Sequence, residues 1–335
     1  MGTQGLRKFQ LGLESTEGTA VAATAIMRGE AAGLEDNQNV VWANEDVGYL
    51  SGTDRTYIDR LSGTYTMPAI PLTFEQVQYM LSAGIENIVS GVQDGAGTGY
   101  VYQYDFMTTA LNTIKTYTLE TGDDQQAEEM NGSFVESFEL SGRGGEAWMM
   151  AGVWRGRTVT NTTFTGAIAI PSVETALFGK TSLYVDAIGG TIGTTQVTGS
   201  FLGASIRVNT GWKFKFSGDG NLYPTIRYFD KNAYMVELVA TFEHDTAGSA
   251  RKTDWRAETA RLVRIQCAGS SLTTPSAYTT KIFRLDCAAK VVSIPGLGEQ
   301  EGNDILEVTM RSRYDTTSAS HAQIIVVANS LTALP

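Results

Sequence analysis

The chain has 335 residues, of which 42% are hydrophobic and 18% are charged, enough to bury a large core and to form more than one domain. Acidic residues outnumber basic ones by 36 to 25, and the formal net charge of -11 excludes the general positive field that holds DNA phosphates nonspecifically. The longest apolar run, Ile324 to Ala328, is far shorter than the ~20 residues that span a bilayer, so no membrane role is expected.

The composition favours an all-β fold with minor α. Glycine occurs 36 times and proline seven times, and Thr, Ser, Val and Tyr are abundant, which suits short twisted strands joined by open turns. The only cysteines, Cys267 and Cys287, lie in apolar, strand-like stretches. We expect them to be buried free thiols, consistent with synthesis in a reducing cytoplasm.

The first elements along the chain are an arm, a helix and a strand. Residues 1–35 are rich in Gly, Thr and Ala, and predict an extended arm with little regular structure that orders against a neighbour. A capping box of Thr73 and Gln76 predicts a helix from Thr73 to Gly84. Alternating aromatic and polar residues from Tyr100 to Phe106 then predict a half-buried strand.

Period-two patterns predict most of the remaining strands. These are Phe134 to Leu140, Trp148 to Trp154, Ile206 to Phe216, Tyr234 to Phe242, Phe283 to Val291, Leu306 to Tyr314 and Gln323 to Ala328. A second helix is predicted from Thr253 or Asp254, with Trp255, Thr259 and Leu262 along one side. Trp148, Trp154 and Trp212 lie in strand patterns, so they and Trp255 are expected to serve the core.

The two halves of the chain have the same order of parts: a strand, a helix, further strands and a closing pair. The closing pairs are 133–141 with 147–157, and 304–314 with 321–328. Corresponding parts lie about half a chain length apart, which predicts an internal duplication. The expected organisation is an arm at 1–35, a first unit at 36–160, a connector with a projecting hairpin at 161–200, and a second unit at 201–335.

No motif predicts catalysis, a cofactor or a metal site. Imidazole is supplied only by His244 and His321, both of which are expected to be turn residues, and neither lies in a metal-binding spacing. The glycine-rich segment 95–99 precedes a strand and lacks the Lys-Ser/Thr pair of a phosphate-binding loop. The chain is therefore predicted not to be an enzyme.

The N-terminal run from Gly12 to Thr24, the segment Glu45-Asp46-Val47-Gly48, the helix from Thr73 to Gly84 and the block from Asp304 to Asn329 together resemble phage tail tube proteins, also called major tail proteins. The resemblance covers most of the chain in order. It implies duplicated β-sandwich or barrel units, each with a flanking short helix, that join sheets around a ring.

A structural virion protein of a long, non-contractile phage tail is thus implied, made in the host cytoplasm. Stacked rings would form a conduit for genome DNA during ejection. Duplicated halves imply homotrimeric, pseudo-hexameric rings, with hexamers as the alternative, stacked head to tail. The implied partners are further copies of the chain and tape measure, tail tip and terminator proteins. DNA would pass through the lumen, which is expected to be acidic, without specific binding.

The candidate lumen-facing residues are Ser137, Glu139, Glu307, Thr309 and Arg311. Their strand neighbours Phe138, Leu140, Leu306, Val308 and Met310 are expected to face the core. The candidate ring-stacking residues are Glu14, Thr16, Thr19, Asp46 and Tyr49, in the arm and in the loop near residues 47–58.

Two other interpretations of the function stay open. A β-rich carbohydrate-binding or adhesion module would use exposed Trp and Tyr side chains to stack on sugar rings. A phage capsid or head-decoration protein would share the structural role.

Overall fold

The computed structural model describes residues 2–317, 319 and 321–335. They form a mostly β structure with minor helix, as the composition predicts. The helices are α1 (Val77–Gly84) and α2 (Thr246–Arg256). The strands of the first part are β1 (Lys8–Leu13), β2 (Ala25–Ile26), β3 (Glu35–Ala43), β4 (Arg55–Pro71), β5 (Val92–Gln93), β6 (Gly99–Asp105), β7 (Tyr117–Gly122), β8 (Ala127–Arg143), β9 (Met149–Gly156) and β10 (Val159–Thr162).

The later strands are β11 (Thr181–Ala187), β12 (Gln196–Val197), β13 (Phe201–Asn209), β14 (Trp212–Lys215), β15 (Ile226–Phe229), β16 (Met235–Glu243), β17 (Ala260–Ser271), β18 (Thr280–Ser293), β19 (Gly298–Gln300), β20 (Asn303–Ser312) and β21 (Ala322–Asn329). Strands β14 and β15 pair with each other, and the other strands belong to one connected, hydrogen-bonded system.

The pairing order of the strands is the same in two parts of the chain. In the first, β1 pairs with β2 and β7, β7 with β8, β8 also with β9 and β10, β9 with β4, and β4 with β3. In the second, β11 pairs with β12 and β17, β17 with β18, β18 also with β20 and β21, β20 with β16, and β16 with β13. Each antiparallel pairing of the first set therefore has a counterpart in the second, in the same chain order.

One further pairing joins these sets, and another adds β6 to the second set. Strand β8 pairs with β13 from Ser137 opposite Asn209 to Arg143 opposite Gly203. Strand β21 pairs with β6 from Gln323 opposite Asp105 to Asn329 opposite Gly99. The first junction produces a continuous series of strands in the order β18, β20, β16, β13, β8, β9, β4 and β3.

One main core cluster packs against both sets of strands. Trp148, which immediately precedes β9, lies 6.1 Å between ring centroids from Phe283 of β18. Trp148, Trp154 and Phe283 are each 1% exposed or less. Burying a side chain of this size stabilises the fold by roughly 1.5–3 kcal/mol, so these aromatic residues hold the two sets of strands together.

The first 35 residues contain two strands, β1 and the short β2, that the sequence did not predict. Strand β1 pairs with β7 from Lys8 opposite Gly122 to Leu13 opposite Tyr117, and Phe9 is buried in the core. The expectation of an arm with little regular structure is therefore wrong for residues 8–13. Only six residues long, β1 is buried at four consecutive positions, so it lacks the alternation that reveals a half-buried strand.

The first helix is shorter than predicted. The Thr73 hydroxyl accepts from the Gln76 amide at 3.3 Å, as a capping box requires. The Gln76 side chain does not reach back, because it accepts from the amide of Arg28 and donates to the carbonyl of Ile26. These two bonds tie residues 26–28 to the start of α1, which begins at Val77.

The second helix begins and ends earlier than predicted. The Asp245 carboxylate accepts from the amides of Ala247 and Gly248, which caps α2 before Thr246. Glu258 has a φ of 53°, which is incompatible with continuing the helix. Leu262 lies in β17, and Trp255 is 41% exposed instead of serving the core.

The predicted closing pairs have different outcomes. Strands β8 and β9 pair with each other as expected. Strands β20 and β21 do not pair among the described residues: β20 lies between β16 and β18, and β21 lies between β18 and β6. Ser318 and Ser320, which lie between β20 and β21 in the sequence, are outside the described residues.

His321 is a buried residue instead of an exposed turn residue. Its ring lies 5.4 Å from that of Tyr234 and 6.2 Å from that of Phe106, measured between centroids. Burial lowers the pKa of His321 below its ordinary value. Cys267 and Cys287 are buried free thiols, as predicted.

The predicted connector, residues 161–200, contains the β11–β12 hairpin, which belongs to the second set of strands and is built around Asp186. Strand β11 extends this hairpin into the sheet by pairing with β17. The Asp186 carboxylate accepts from the amides of Gly193, Thr194 and Thr195 at 2.7–3.2 Å and from the Thr194 hydroxyl. Burial alone would raise the pKa of Asp186, but these hydrogen bonds lower it to about 2.

Candidate functional site

The five candidate lumen residues lie on one face of the continuous strand series. Their alternating neighbours face the core: Leu306, Val308 and Leu140 are 0% exposed, and Met310 and Phe138 are 2% and 3% exposed. The polar residues of β8 and β20 therefore share the opposite face, which continues across the intervening strands β13 and β16. We call this polar surface of β8, β13, β16 and β20 the ladder face.

A bulge sets which residues of β8 reach the ladder face. The pairing of β8 with β9 shifts by one residue between Val135 and Ser137. The extra residue, Glu136, restores the alternation so that Ser137 and Glu139 share a face while Phe138 is buried. This bulge explains why the sequence pattern is blurred at Val135 and Glu136.

A row of alternating charges crosses the ladder face. Glu139 lies directly opposite Arg207, Arg207 opposite Glu237, and Glu237 opposite Arg311. The corresponding nitrogen–oxygen distances are 3.4, 4.0 and 3.7 Å. Sequence analysis identified Glu139 and Arg311 but missed Arg207 and Glu237, because only the strand pairing places these four residues in one row.

The row contains equal numbers of acidic and basic groups. Arg207 and Arg311 are 52% and 54% exposed at their side chains, so each ion pair contributes only ~0–1 kcal/mol to stability. The pairs affect the local electrostatic potential more than they affect stability, because a carboxylate partner balances the charge of each guanidinium. The charges of this row are therefore paired, and the row by itself is not acidic.

The surface around the charged row combines hydroxylated side chains with apolar ones such as Val239, Ile305 and Met235. Two open concavities lie on the ladder face, and Arg207 lines both. One is lined by Thr241, Glu307 and Thr309, and the other by Ser137 and Glu139. Four of the five candidate lumen residues thus line these concavities, and Arg311 lies in the charged row.

Of the predicted ring-stacking residues, Glu14 has a different environment from the others. Its side chain is buried, and its carboxylate accepts from the amides of Gly18 and Gly132 and from the hydroxyls of Thr116 and Thr118 at 2.7–3.0 Å. Because this carboxylate is buried, it cannot contact another ring. Its role is to fix the turn that follows β1 against β7 and β8.

The other four stacking candidates are exposed. Thr16 and Thr19 lie in the turn after β1, closed by a bond of 3.0 Å from the Thr19 amide to the Thr16 carbonyl. Asp46 and Tyr49 lie in the loop of residues 44–54 that joins β3 to β4. The structure places these two pairs of residues on separate segments.

The β3–β4 hairpin carries an exposed apolar surface that sequence analysis only partly identified. Its exposed large apolar residues are Val40, Trp42, Val47, Tyr49, Leu50, Tyr57 and Ile58. Trp42 is 69% exposed and Leu50 fully exposed. We call this set the hairpin patch. A concentration of exposed apolar side chains on one projecting element is typical of a protein–protein contact.

Among the residues that the structure describes, no group of three or more His, Cys, Asp or Glu is placed to hold a metal ion. Within the same residues, no helix is long and apolar enough to cross a membrane. Burial raises the pKa of Cys287 to about 12, which keeps this thiol in its unreactive, protonated form.

Comparison with known proteins identifies no relative: no protein-family model matches the chain, and no curated protein matches it significantly.

Proposed function

We propose that this chain is the tail tube protein of a long, non-contractile-tailed bacteriophage. In this proposal the two matching sets of strands are duplicated tube units, each with a flanking short helix. Three copies form a pseudo-hexameric ring, and rings stack head to tail into a tube within the virion. Tape measure, tail tip and terminator proteins are its other partners.

The observation that carries the proposal is the continuous strand series from β18 to β3, with the candidate lumen residues on one face. A ring that encloses a channel needs a sheet that continues from unit to unit, and the β8–β13 pairing already joins the two matching sets in this way. A sheet closed around a ring also removes the open edges that make isolated β-proteins aggregate.

Paired charges on the ladder face suit a surface that DNA passes without binding. A nearby carboxylate weakens the attraction of an arginine for phosphate, and Arg207 and Arg311 each lie within 4.0 Å of a carboxylate. The net charge of -11 adds a long-range repulsion. The ladder face would thus present polar groups to water without a net attraction for the phosphate backbone.

The hairpin patch supports the proposed stacking of rings. Growth along a tail axis requires heterologous contacts, in which one end of a ring binds the other end of the next. Tyr49 and Leu50 would provide apolar area for such a contact, and Asp46 would lie beside them. Thr16 and Thr19 remain candidates for the same interface.

A carbohydrate-binding role is the second candidate, because Trp42, Tyr49 and Tyr57 are exposed aromatics on one hairpin. Aromatic rings in sugar sites usually stand among polar groups that bind hydroxyls. Here the exposed neighbours include Val40, Leu50 and Ile58, which favours contact with protein. Glycan-array binding by the purified protein would support the carbohydrate role instead.

Electron microscopy of the purified protein over a concentration series tests the proposed function. We expect rings or hollow tubes that become more abundant as concentration rises. A monodisperse monomer at every concentration, including after addition of preformed tail tips as a template, would contradict the proposal.

A further inference from the structure

The two matching sets of strands can be compared residue by residue, because both contain a bulge at the same place. The pairing of β8 with β9 shifts between Val135 and Ser137, and the pairing of β18 with β20 shifts between Val291 and Ser293. Aligning these two shifts makes Ser137 of the first set equivalent to Ser293 of the second.

The same comparison can be carried across the neighbouring strands. Ser137 lies opposite Val153 and Ser293 opposite Thr309, so Arg155 is equivalent to Arg311 two residues further on. These arginines lie opposite Thr64 and Glu237, respectively.

Thr64 and Glu237 in turn lie opposite Glu35 and Arg207. Two residues beyond these, Asn37 of β3 is equivalent to Asn209 of β13. The residue pair Ser137–Asn209, which begins the β8–β13 junction, therefore has the equivalent Ser293 and Asn37, with the same two residue types.

Ser293 and Asn37 lie at opposite ends of the continuous strand series. Strand β3 pairs only with β4, and β19 pairs only with β20, among the described residues. Strand β17 covers β18 only as far as Lys290, so among the described residues the outer edge from Val291 to Gln300 is open, as is the outer edge of β3. The equivalent edges of β8 and β13 are joined within the chain. Unpaired edges of this kind are sites where another chain adds to a sheet.

We infer that the edge of residues 31–37 pairs with residues 293–299 of a second copy of this chain, antiparallel, with Asn37 opposite Ser293. This junction repeats the β8–β13 junction between subunits. Pro295 cannot donate a backbone hydrogen bond, so fewer hydrogen bonds are expected near that residue than within the chain. The contact is heterologous, so repeating it produces a ring or a helical filament. Closure with three chains rests on the proposed function.

Cysteine crosslinking of the full-length protein tests this register. Directly opposite residues of an antiparallel pair have Cα atoms ~4.5–5.5 Å apart, within the range of a disulfide. The double variant Asn37→Cys with Ser293→Cys should therefore shift from monomer to dimer and trimer on non-reducing gels. The native thiols, Cys267 and Cys287, are buried and should not interfere.

Two matched variants complete the test. Ser137→Cys with Asn209→Cys places the same pair at the junction within the chain. Its disulfide should form within one chain, so the protein should stay at the position of the monomer on the gel. Asn37→Cys with Gln300→Cys is out of register and should stay uncrosslinked.

Rings or tubes without the Asn37–Ser293 crosslink, in a preparation where the Ser137–Asn209 control is oxidised, would overturn the inferred junction and leave the proposed function standing. A monomer that forms neither assemblies nor crosslinks at any concentration would contradict both. Equal crosslinking of the in-register and out-of-register pairs would also overturn the register.

Discussion

Replacement of Glu14 by glutamine should destabilise the protein strongly, although the two side chains have nearly the same shape. Each carboxylate oxygen accepts one backbone amide and one hydroxyl: Gly132 and Thr118 on Oε1, Gly18 and Thr116 on Oε2. A glutamine has one acceptor oxygen and one NH₂ group. A threonine hydroxyl can rotate to accept from the NH₂ group, but a backbone amide cannot.

The expected cost follows from this count of donors. One buried backbone N–H loses its acceptor, which costs ~1–3 kcal/mol, and the remaining bonds lose the strength that a charged acceptor provides. We expect the free energy of unfolding to fall by about 3 kcal/mol. Chemical denaturation followed by tryptophan fluorescence measures this change.

Glu30→Gln provides the matched control, because Glu30 is exposed. It should change the free energy of unfolding by less than ~0.5 kcal/mol. If Glu14→Gln were as stable as Glu30→Gln, the inferred role of the buried carboxylate in fixing the turn after β1 would be refuted.

Three further predictions concern charge, pH and assembly. Glu237→Gln removes the carboxylate partner of Arg311 and should introduce weak DNA binding by fluorescence anisotropy, with a log–log salt slope of about -1; no gain in binding at low salt would contradict the role of charge pairing. Because the folded-state pKa of Asp186 is about 2, below the ordinary 3.8, its stabilising effect is present above about pH 4 and is lost as pH falls towards 2. Thermal unfolding should therefore show that Asp186→Asn is less stable than the parent at pH 7, and a difference that does not shrink between pH 4 and pH 2 would argue against these hydrogen bonds. The double variant Tyr49→Ser with Leu50→Ser should leave rings intact but abolish tubes in electron micrographs, whereas tubes of normal length would remove the hairpin patch from the stacking interface.

The sequence predicted the faces of strands better than their partners. Alternation in β20 correctly separated Leu306, Val308 and Met310 from the polar side, because a strand with one buried face must alternate. The bulge at Glu136 interrupts this alternation in β8, yet Phe138 and Leu140 were still assigned correctly. The local sequence pattern is sufficient to predict which face of a strand is buried, because burial favours an apolar residue at each buried position.

Strand partners depend on residues far apart in the chain, which local pattern does not record. Strand β21 pairs with β6, more than 200 residues earlier, instead of forming a hairpin with β20. The charged row depends on the same information, since Arg207 and Glu237 become members of it only through pairing. Strand β1 was missed for a related reason: it is covered on both faces by elements that lie elsewhere in the sequence.

The number of chains in the smallest closed assembly tests the central claim most directly. Light-scattering mass of rings isolated by size-exclusion chromatography, combined with electron micrographs of the same fraction, measures this number. We predict three chains per ring, with six similar units around a central channel. Six chains per ring would keep the tail tube role and contradict the pseudo-hexameric arrangement, whereas a closed dimer without a channel would contradict the account as a whole.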